Sequence, residues 1–296
     1  MRIEAPAKLN LCLFLGPRRE DGLHELCSLF EPLALADSIE VSEADRDEVV
    51  CPDVAGENLA ARALAALRQG GWNGPALRLA IEKRIPVAAG LGGGSADAAA
   101  VLRLVRDEPA LTQDAAQSSS AEVPDLEEIA AELGADVPSQ LAPALSLVRG
   151  GGERVERLPE PAPHAAVLLP GGGGLSTAAV FAEADRLGLG RDAASLDDLA
   201  GGLREAAAAG ASPFEYAELL ANDLEPAARS LRPDVAEALD ALRAIDSDGD
   251  SHPPLVFMSG SGPTAVRLFP TLRQANRAAE HLDRDDAIAC EAGRAS

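Results

Sequence analysis

Chemistry in this chain concentrates on the stretch Pro86-Val-Ala-Ala-Gly-Leu-Gly-Gly-Gly-Ser-Ala96. Gly90, Gly92, Gly93 and Gly94 fall within five positions, and a strong helix former begins directly after Ser95. Glycines admit positive φ and let backbone N–H groups approach a ligand closely. A helix expected to start at Ser95 or Ala96 aims its free amides and positive dipole end at the same spot. That combination is an anion site, and phosphate is its usual occupant. Spacing excludes two other motifs. A P-loop closes on Gly-Lys-Ser/Thr, whereas Gly94 precedes Ser95 with no lysine. The dinucleotide fingerprint needs a sixth-position glycine, which counted from Gly90 is Ser95. A flexible linker ahead of a helix is the plain alternative; the apolar patterns bracketing the loop favour the phosphate cradle.

Charge singles out further residues. Arginine accounts for 24 of the 26 basic residues, leaving only Lys8 and Lys83. Both flank the loop's expected site, where a compact ammonium differs from an arginine fork. Lys8 and Asn10 lie two apart on a segment read as extended, so they share one face. Their neighbours read as buried, which makes both costly unless they find partners. The net charge of −22 argues against nucleic acid or an anionic membrane as partner, since both need a basic face. Any anionic substrate must therefore meet a local cluster of positive groups. Four scattered cysteines without a C-x-x-C pair, and four histidines, give no metal site and suggest a reducing cytoplasm.

The elements that must position these residues follow from pattern. Residues 2–16 read as a strand or a strand pair broken at Pro6, and 26–42 as strands separated near Ala36-Asp37. Residues 57–69 form an amphipathic helix ended by Gly70-Gly71, and Leu77 to Glu82 a strand that delivers Lys83 and the glycine loop. The loop's helix is expected to reach about Arg106; 107–124 is polar and of low complexity. A short helix at 125–133 precedes Asp136, which with Pro138 in the first turn fits a helix cap. Strands at 145–149 and 153–158 lead to a proline-rich link, where the boundary between domains 1–160 and 161–296 is placed. Beyond it come a strand at 165–169, a helix capped by Ser176 or Thr177, a poorly specified insert at 188–213, a helix at 233–244, strands flanking Ser259-Gly-Ser-Gly-Pro263, a helix at 271–282 and a last strand near 286–291. Mixed spacing of strands and helices gives an α+β class and not a doubly wound sheet.

Three motifs in order resemble the GHMP small-molecule kinases: Pro6-Ala-Lys-Leu-Asn-Leu11, the loop from Pro86 to Ser95, and Ser259-Gly-Ser-Gly-Pro263. Asp21-Gly-Leu-His-Glu25, Glu82-Lys-Arg-Ile-Pro86, Leu133-Gly-Ala-Asp-Val-Pro138, Gly150-Gly-Gly-Glu153, Ser176-Thr177 with Phe181, and Asn222-Asp223 extend the likeness over nearly the whole chain. The resemblance implies a two-lobed α+β fold with the active site in the cleft between lobes. It implies ATP as phosphoryl donor, with Mg²⁺ held mainly through the phosphates, and a small-molecule cytidine diphosphate substrate. Lys8 and Asp136 would be the catalytic pair, Asp136 accepting the proton of the attacking hydroxyl. The nucleotide would be met by Asn58, Lys83, Pro86, Gly90, Leu91, Gly92, Gly93, Gly94, Ser95 and Ala96. Asn10, His24, Thr177 and Phe181 would lie at the substrate end, His24 on the cytosine edge and Phe181 on its face. A soluble cytoplasmic monomer or weak homodimer is expected.

This chain departs from the family pattern at Leu23, where a tyrosine is usual, and at Ser139, Gln140 and Pro143-Ala144, where aromatics and a Gly-Gly turn are usual. The phosphate loop carries Ala96 where a second serine is common. Two other readings stay open: a kinase of this family acting on a different small alcohol, and a non-catalytic nucleotide-binding relative. Retention of both Lys8 and Asp136 counts against the latter.

Overall fold

A computed structural model describes residues 1–54, 56–108, 124–245, 253–282 and 284–295. Most of the polar segment at 107–124 lies outside these described residues. The molecule is built on one long antiparallel pair, β1 (Arg2–Arg18) and β2 (His24–Glu43). Both run unbroken where interruptions were expected. Pro6 sits at a register shift between Pro6 and Lys8, so its missing N–H leaves no gap in a regular ladder. Asp37, fully buried inside β2, accepts hydrogen bonds from the N–H groups of Arg84 and Ile85. A partnered carboxylate does not have to end a strand.

The other edge of β2 is shared. β4 (Leu77–Glu82) pairs with residues 38–43 and β5 (Ser146–Gly150) with residues 26–30, while β10 (Ile288–Ala292) touches β2 only at Leu33. β3 (Glu48–Val50), not foreseen in the sequence, lies parallel to β4; β6 (Arg154–Arg157) pairs with β5. The sheet continues through β7 (His164–Leu169) and β9 (Ala265–Phe269) to β8 (Val256–Met258). Only the β3–β4 pair is parallel among the described strands. The class is α+β, as the strand and helix pattern indicated.

Helix α1 (Leu59–Gln69) buries Ala60, Ala63, Leu64 and Leu67, the i, i+3, i+4, i+7 stripe of a half-buried helix. Asn58 caps it by accepting from the Ala60 N–H at 2.8 Å. Helix α2 (Gly93–Asp107) is buried nearly all round from Ala96 to Val105 and packs between α1 and β1. Its run of alanines lets neighbours approach closely, and its buried Leu102 and Leu104 each contribute about 1.5–3 kcal/mol. α3 (Leu126–Leu133) and the single turn α4 (Val137–Gln140) follow.

The later part of the chain supplies α5 (Thr177–Leu187), α6 (Ala193–Ala206), α7 (Glu225–Leu231), α8 (Pro233–Ala244) and α9 (Leu272–His281). α6 corrects the expectation of a poorly specified insert at 188–213. Asp192 caps it by accepting from the Ser195 N–H, and Leu196, Ala200 and Leu203 are buried at helical spacing. Strand β7 is covered on both faces: Ala166 and Leu168 join the larger apolar core, Ala165, Val167 and Leu169 the smaller one. No helix among the described residues is long and apolar enough to cross a membrane.

Candidate active site

The site begins with the glycine loop. α2 starts at Gly93, two residues earlier than expected, because Gly92 at φ +70° takes the left-handed cap. The N–H groups of Gly93, Gly94 and Ser95 therefore occupy the first helical turn, where no preceding carbonyl can bond them. Ala96 does not share this role: it is fully buried, and its N–H bonds Gly92 O at 2.8 Å. Glycine is required at two places by what surrounds it. A Cβ on Gly90 would lie 2.7 Å from Ser259 O, and one on Gly92 would lie 2.9 Å from Lys8 Cγ.

Lys8 and Asn10 project from β1 between two register shifts, Pro6/Lys8 and Asn10/Cys12. Such irregularities re-aim side chains. Lys8 is only 5 % exposed. Its ammonium lies 3.2 Å from Asp136 Oδ2, donates to Asn10 Oδ1, reaches Gly90 O at 3.3 Å and sits over the Phe30 ring. Asn10 in turn donates from Nδ2 to Ser28 Oγ, and its N–H donates to Ser259 Oγ. Each buried polar atom of this row thus has a partner, as its cost requires.

Asp136 occupies the cap position of α4 but makes no side-chain cap bond. Its carboxylate points to Lys8 instead, which removes helix capping as the explanation of the residue. The turn carrying it is held from α2: Arg103 donates to Gln140 O and Glu4 O, and Arg106 donates to Leu141 O. Burial comes first in lowering the Arg103 guanidinium to about 10, with Arg106 adding to it. Ser139 Oγ donates back to Asp136 O at 2.8 Å.

A cavity of about 510 Å³ joins these groups. Lys8, Asn10, Asn58, Lys83, Pro86, Gly90 to Ser95, Asp136, Thr177 and Phe181 all line it. Asn58 and Lys83, like Lys8 and Asn10, are engaged within the protein as well. Asn58 Oδ1 caps α1, and the Lys83 ammonium lies between the buried carboxylates of Asp37 and Asp97. Sequence reasoning missed both carboxylates. Asp97 carried a readable signal, a carboxylate on a helix face otherwise made of Ala, Val and Leu, whereas Asp37 reads as a break between strands.

His24 stands behind the cavity wall. Its Nδ1 faces Gly16 O at 3.1 Å and its Nε2 faces Asp185 at 3.2 Å, so both ring nitrogens already have partners. Its ring lies 5.6 Å from that of Phe181, tilted by 43°. Leu23 beside it is 54 % exposed. Thr177 Oγ1 and Ser261 Oγ are 2.9 Å apart, and Asn222 Nδ2 donates to Met258 O and Gly260 O, bracing the turn at 259–262.

Comparison with known proteins bears on this arrangement. The GHMP kinases N terminal domain matches residues 58–143 and the GHMP kinases C terminal domain residues 203–287. A 4-diphosphocytidyl-2-C-methyl-D-erythritol kinase of Streptomyces avermitilis is 38 % identical over 95 % of this chain and 91 % of its own length. The chain belongs to the GHMP kinase family. The kinase of the same name from Caulobacter vibrioides is 37 % identical to this GHMP kinase, over 94 % of the chain and 93 % of its own length. A crystal structure of 4-(cytidine 5'-diphospho)-2C-methyl-D-erythritol kinase superposes on it with a TM-score of 0.77 at 36 % identity, covering 99 % of this chain and 100 % of that one. A mevalonate kinase crystal structure, 11 % identical with a TM-score of 0.62, shares the fold. This GHMP kinase is a small-molecule kinase, and ATP is its phosphate donor.

Proposed function

We propose that this kinase transfers the γ-phosphoryl group of ATP to the 2-hydroxyl of 4-diphosphocytidyl-2-C-methyl-D-erythritol, a step of non-mevalonate isoprenoid precursor synthesis. The observation that carries the reading is the Lys8–Asp136 pair, 3.2 Å apart at the rim of the glycine loop. Phosphoryl transfer needs an aligned alcohol and neutralised phosphate charge, with little covalent work by the protein. Asp136 Oδ accepts the hydroxyl proton as the oxygen attacks. Lys8, 3.2 Å from that carboxylate, orients it and offers positive charge to the group in transfer. The amides of the first turn of α2 meet the phosphates, and Asn58 and Lys83 border the nucleotide. Among the described residues no group of three or more His, Cys, Asp or Glu side chains could hold a metal. Mg²⁺ would come on the nucleotide, held mainly by phosphate oxygens and supplying charge neutralisation. Phe181 stacks on the cytosine, and Asn10 and Thr177 orient the acceptor. His24, fixed by Gly16 O and Asp185, supports Phe181 and turns to the base edge only by exchanging one of those partners. The lobes divide near residue 160, in the proline-rich link between β6 and β7.

A second reading, a different small alcohol, is favoured by Leu23 and Ser139, which stand where the family usually has aromatic residues; Leu23 is an exposed aliphatic side chain instead. ADP release from Mg-ATP, with and without the cytidine diphosphate substrate and with Asp136→Ala as control, decides between them. Substrate-dependent release lost in the variant supports the first. Nucleotide binding without substrate-dependent release overturns it.

A further inference from the structure

Beneath the first turn of α2 lies an ionic cluster of which the phosphoryl-transfer reading uses only Lys83. Lys83 Nζ donates to Asp97 Oδ2 at 2.8 Å and to Asp37 Oδ2, and all three side chains are nearly or fully buried. Asp37 is fully bonded: its second oxygen accepts the N–H groups of Arg84 at 2.6 Å and Ile85 at 2.8 Å. Asp97 is not. Its Oδ1 is buried without a hydrogen-bond partner. With every group ionised the cluster carries two negative charges against one positive. A buried net charge is costly, and of two carboxylates sharing one cation the less well bonded takes up a proton most readily.

The location gives this imbalance a consequence. Lys83 Nζ is 3.3 Å from where a Cβ on Gly93 would sit, so the cluster underlies the first residue of the phosphate-facing helix. Asp97 lies in the next turn of that helix and borders the same cavity. A net negative cluster there opposes incoming phosphate charge; a neutral one does not. We infer that Asp97 acts through Lys83 as a positioning residue that couples nucleotide binding to the uptake of one proton from solvent. The inference rests on the reading of residues 90–95 as the phosphate cradle.

The facing groups are Asp37 from β2, Lys83 from the turn after β4, and Cys51 from the segment ahead of α1, with Asp53 beyond it. Burial, the largest influence, drives the Asp97 carboxyl up to about 7 against the pull of Lys83, and Asp37 pushes it further in the same direction. Below that value the cluster is neutral and nucleotide binds best. As pH rises through it the free cluster becomes negative, each nucleotide bound has to bring a proton back on, and affinity falls until pH passes the raised value of the bound state.

Calorimetry of Mg-ADP binding in buffers of different ionisation enthalpy reads this directly. Near neutral pH the wild-type protein takes up about half a proton per nucleotide. Its affinity falls about tenfold as pH rises through this range, the equivalent of a one-unit shift on binding. Asp97→Asn binds Mg-ADP with no uptake and a flat pH profile; Asp97→Ser, equally without an ionisable group, repeats the test if the amide variant does not fold. Binding without proton uptake in the wild type overturns the inference, as does uptake that persists in the variants. Absence of Mg-ADP binding overturns the phosphate-cradle reading itself.

Discussion

Lys8 Nζ and Asp136 Oδ2 lie 3.2 Å apart although 128 residues of sequence separate them, and Lys8 is almost wholly buried while a third of the Asp136 side chain reaches the cavity. The ammonium is therefore a fixed charge, and the carboxylate is the partner free to meet a substrate. Asp136→Asn keeps the shape and removes the proton acceptor. It lowers kcat by about 10²- to 10⁴-fold, while Mg-ADP affinity stays close to wild type. Steady-state kinetics and nucleotide titration on the same preparation check both halves.

The glycine loop makes a sharp contrast between neighbouring positions. At Gly90 an added methyl meets two backbone carbonyls, Ser259 O at 2.7 Å and Gly262 O at 2.9 Å, on a residue at φ +80°. Gly90→Ala costs about 1–3 kcal/mol for the left-handed backbone alone. At Gly94, by comparison, the methyl meets only Leu59 Cδ1 at 3.4 Å. Thermal melts show the first variant several degrees below wild type and Gly94→Ala close to it.

Phe181 and Leu23 set the acceptor end. Loss of an aromatic stacking face weakens base binding by about 1–3 kcal/mol. Phe181→Ala raises KM for the cytidine diphosphate substrate by at least about fivefold on that scale and leaves KM for ATP unchanged. Leu23→Tyr lowers the same KM, because its ring gives the base a second face. An unchanged KM in both variants would place the base elsewhere.

A second buried pair links the sheet's two halves. His164 Nε2 on β7 lies 3.1 Å from Glu31 Oε2 on β2, and both side chains are shielded from water. Burial by itself would lower the imidazole; Glu31, with the Ala162 carbonyl, outweighs it, and the net direction is up. A raised folded-state value means the pair's stabilisation is complete below about 6.5, the ordinary imidazole value, and is lost as pH rises through the folded-state value. Urea midpoints followed from acid to mildly alkaline pH fall more steeply in the wild type than in Glu31→Gln. Parallel curves would show that the pair does not titrate in this way.

The glycine loop and the lysine at its rim were legible in the sequence because glycine spacing and a scarcity of lysine are local signals. Asp136 was legible only through the family's motif, since its own neighbours, Val137 and Pro138, describe a helix cap equally well. What stayed hidden depended on contacts across the fold. β2 reads as two strands until Arg84 and Ile85 supply the donors that let Asp37 remain inside it. Residues 188–213 read as filler because alanine and glycine blur an apolar stripe, yet Asp192, Leu196, Ala200 and Leu203 carried the cap and spacing of α6. His24 was placed at the cytosine edge; its two ring partners, Gly16 and Asp185, are invisible without the coordinates.

The glycine loop is fastened by residues made much later in synthesis. Gly90 O accepts from Ser259 Oγ at 3.3 Å, Ala89 O accepts from Thr264 Oγ1 at 2.6 Å, and the N–H of Asn10 reaches Ser259 across 249 positions. Contacts this distant in sequence close slowly and late in folding. A nascent chain emerging from the ribosome can form the β1–β2 hairpin and α2 long before Ser259 exists, but its glycine loop is then unanchored. The conformation of that loop is therefore among the last features this chain acquires, and a chain lacking the strands around 256–269 leaves it without the Ser259 and Thr264 donors.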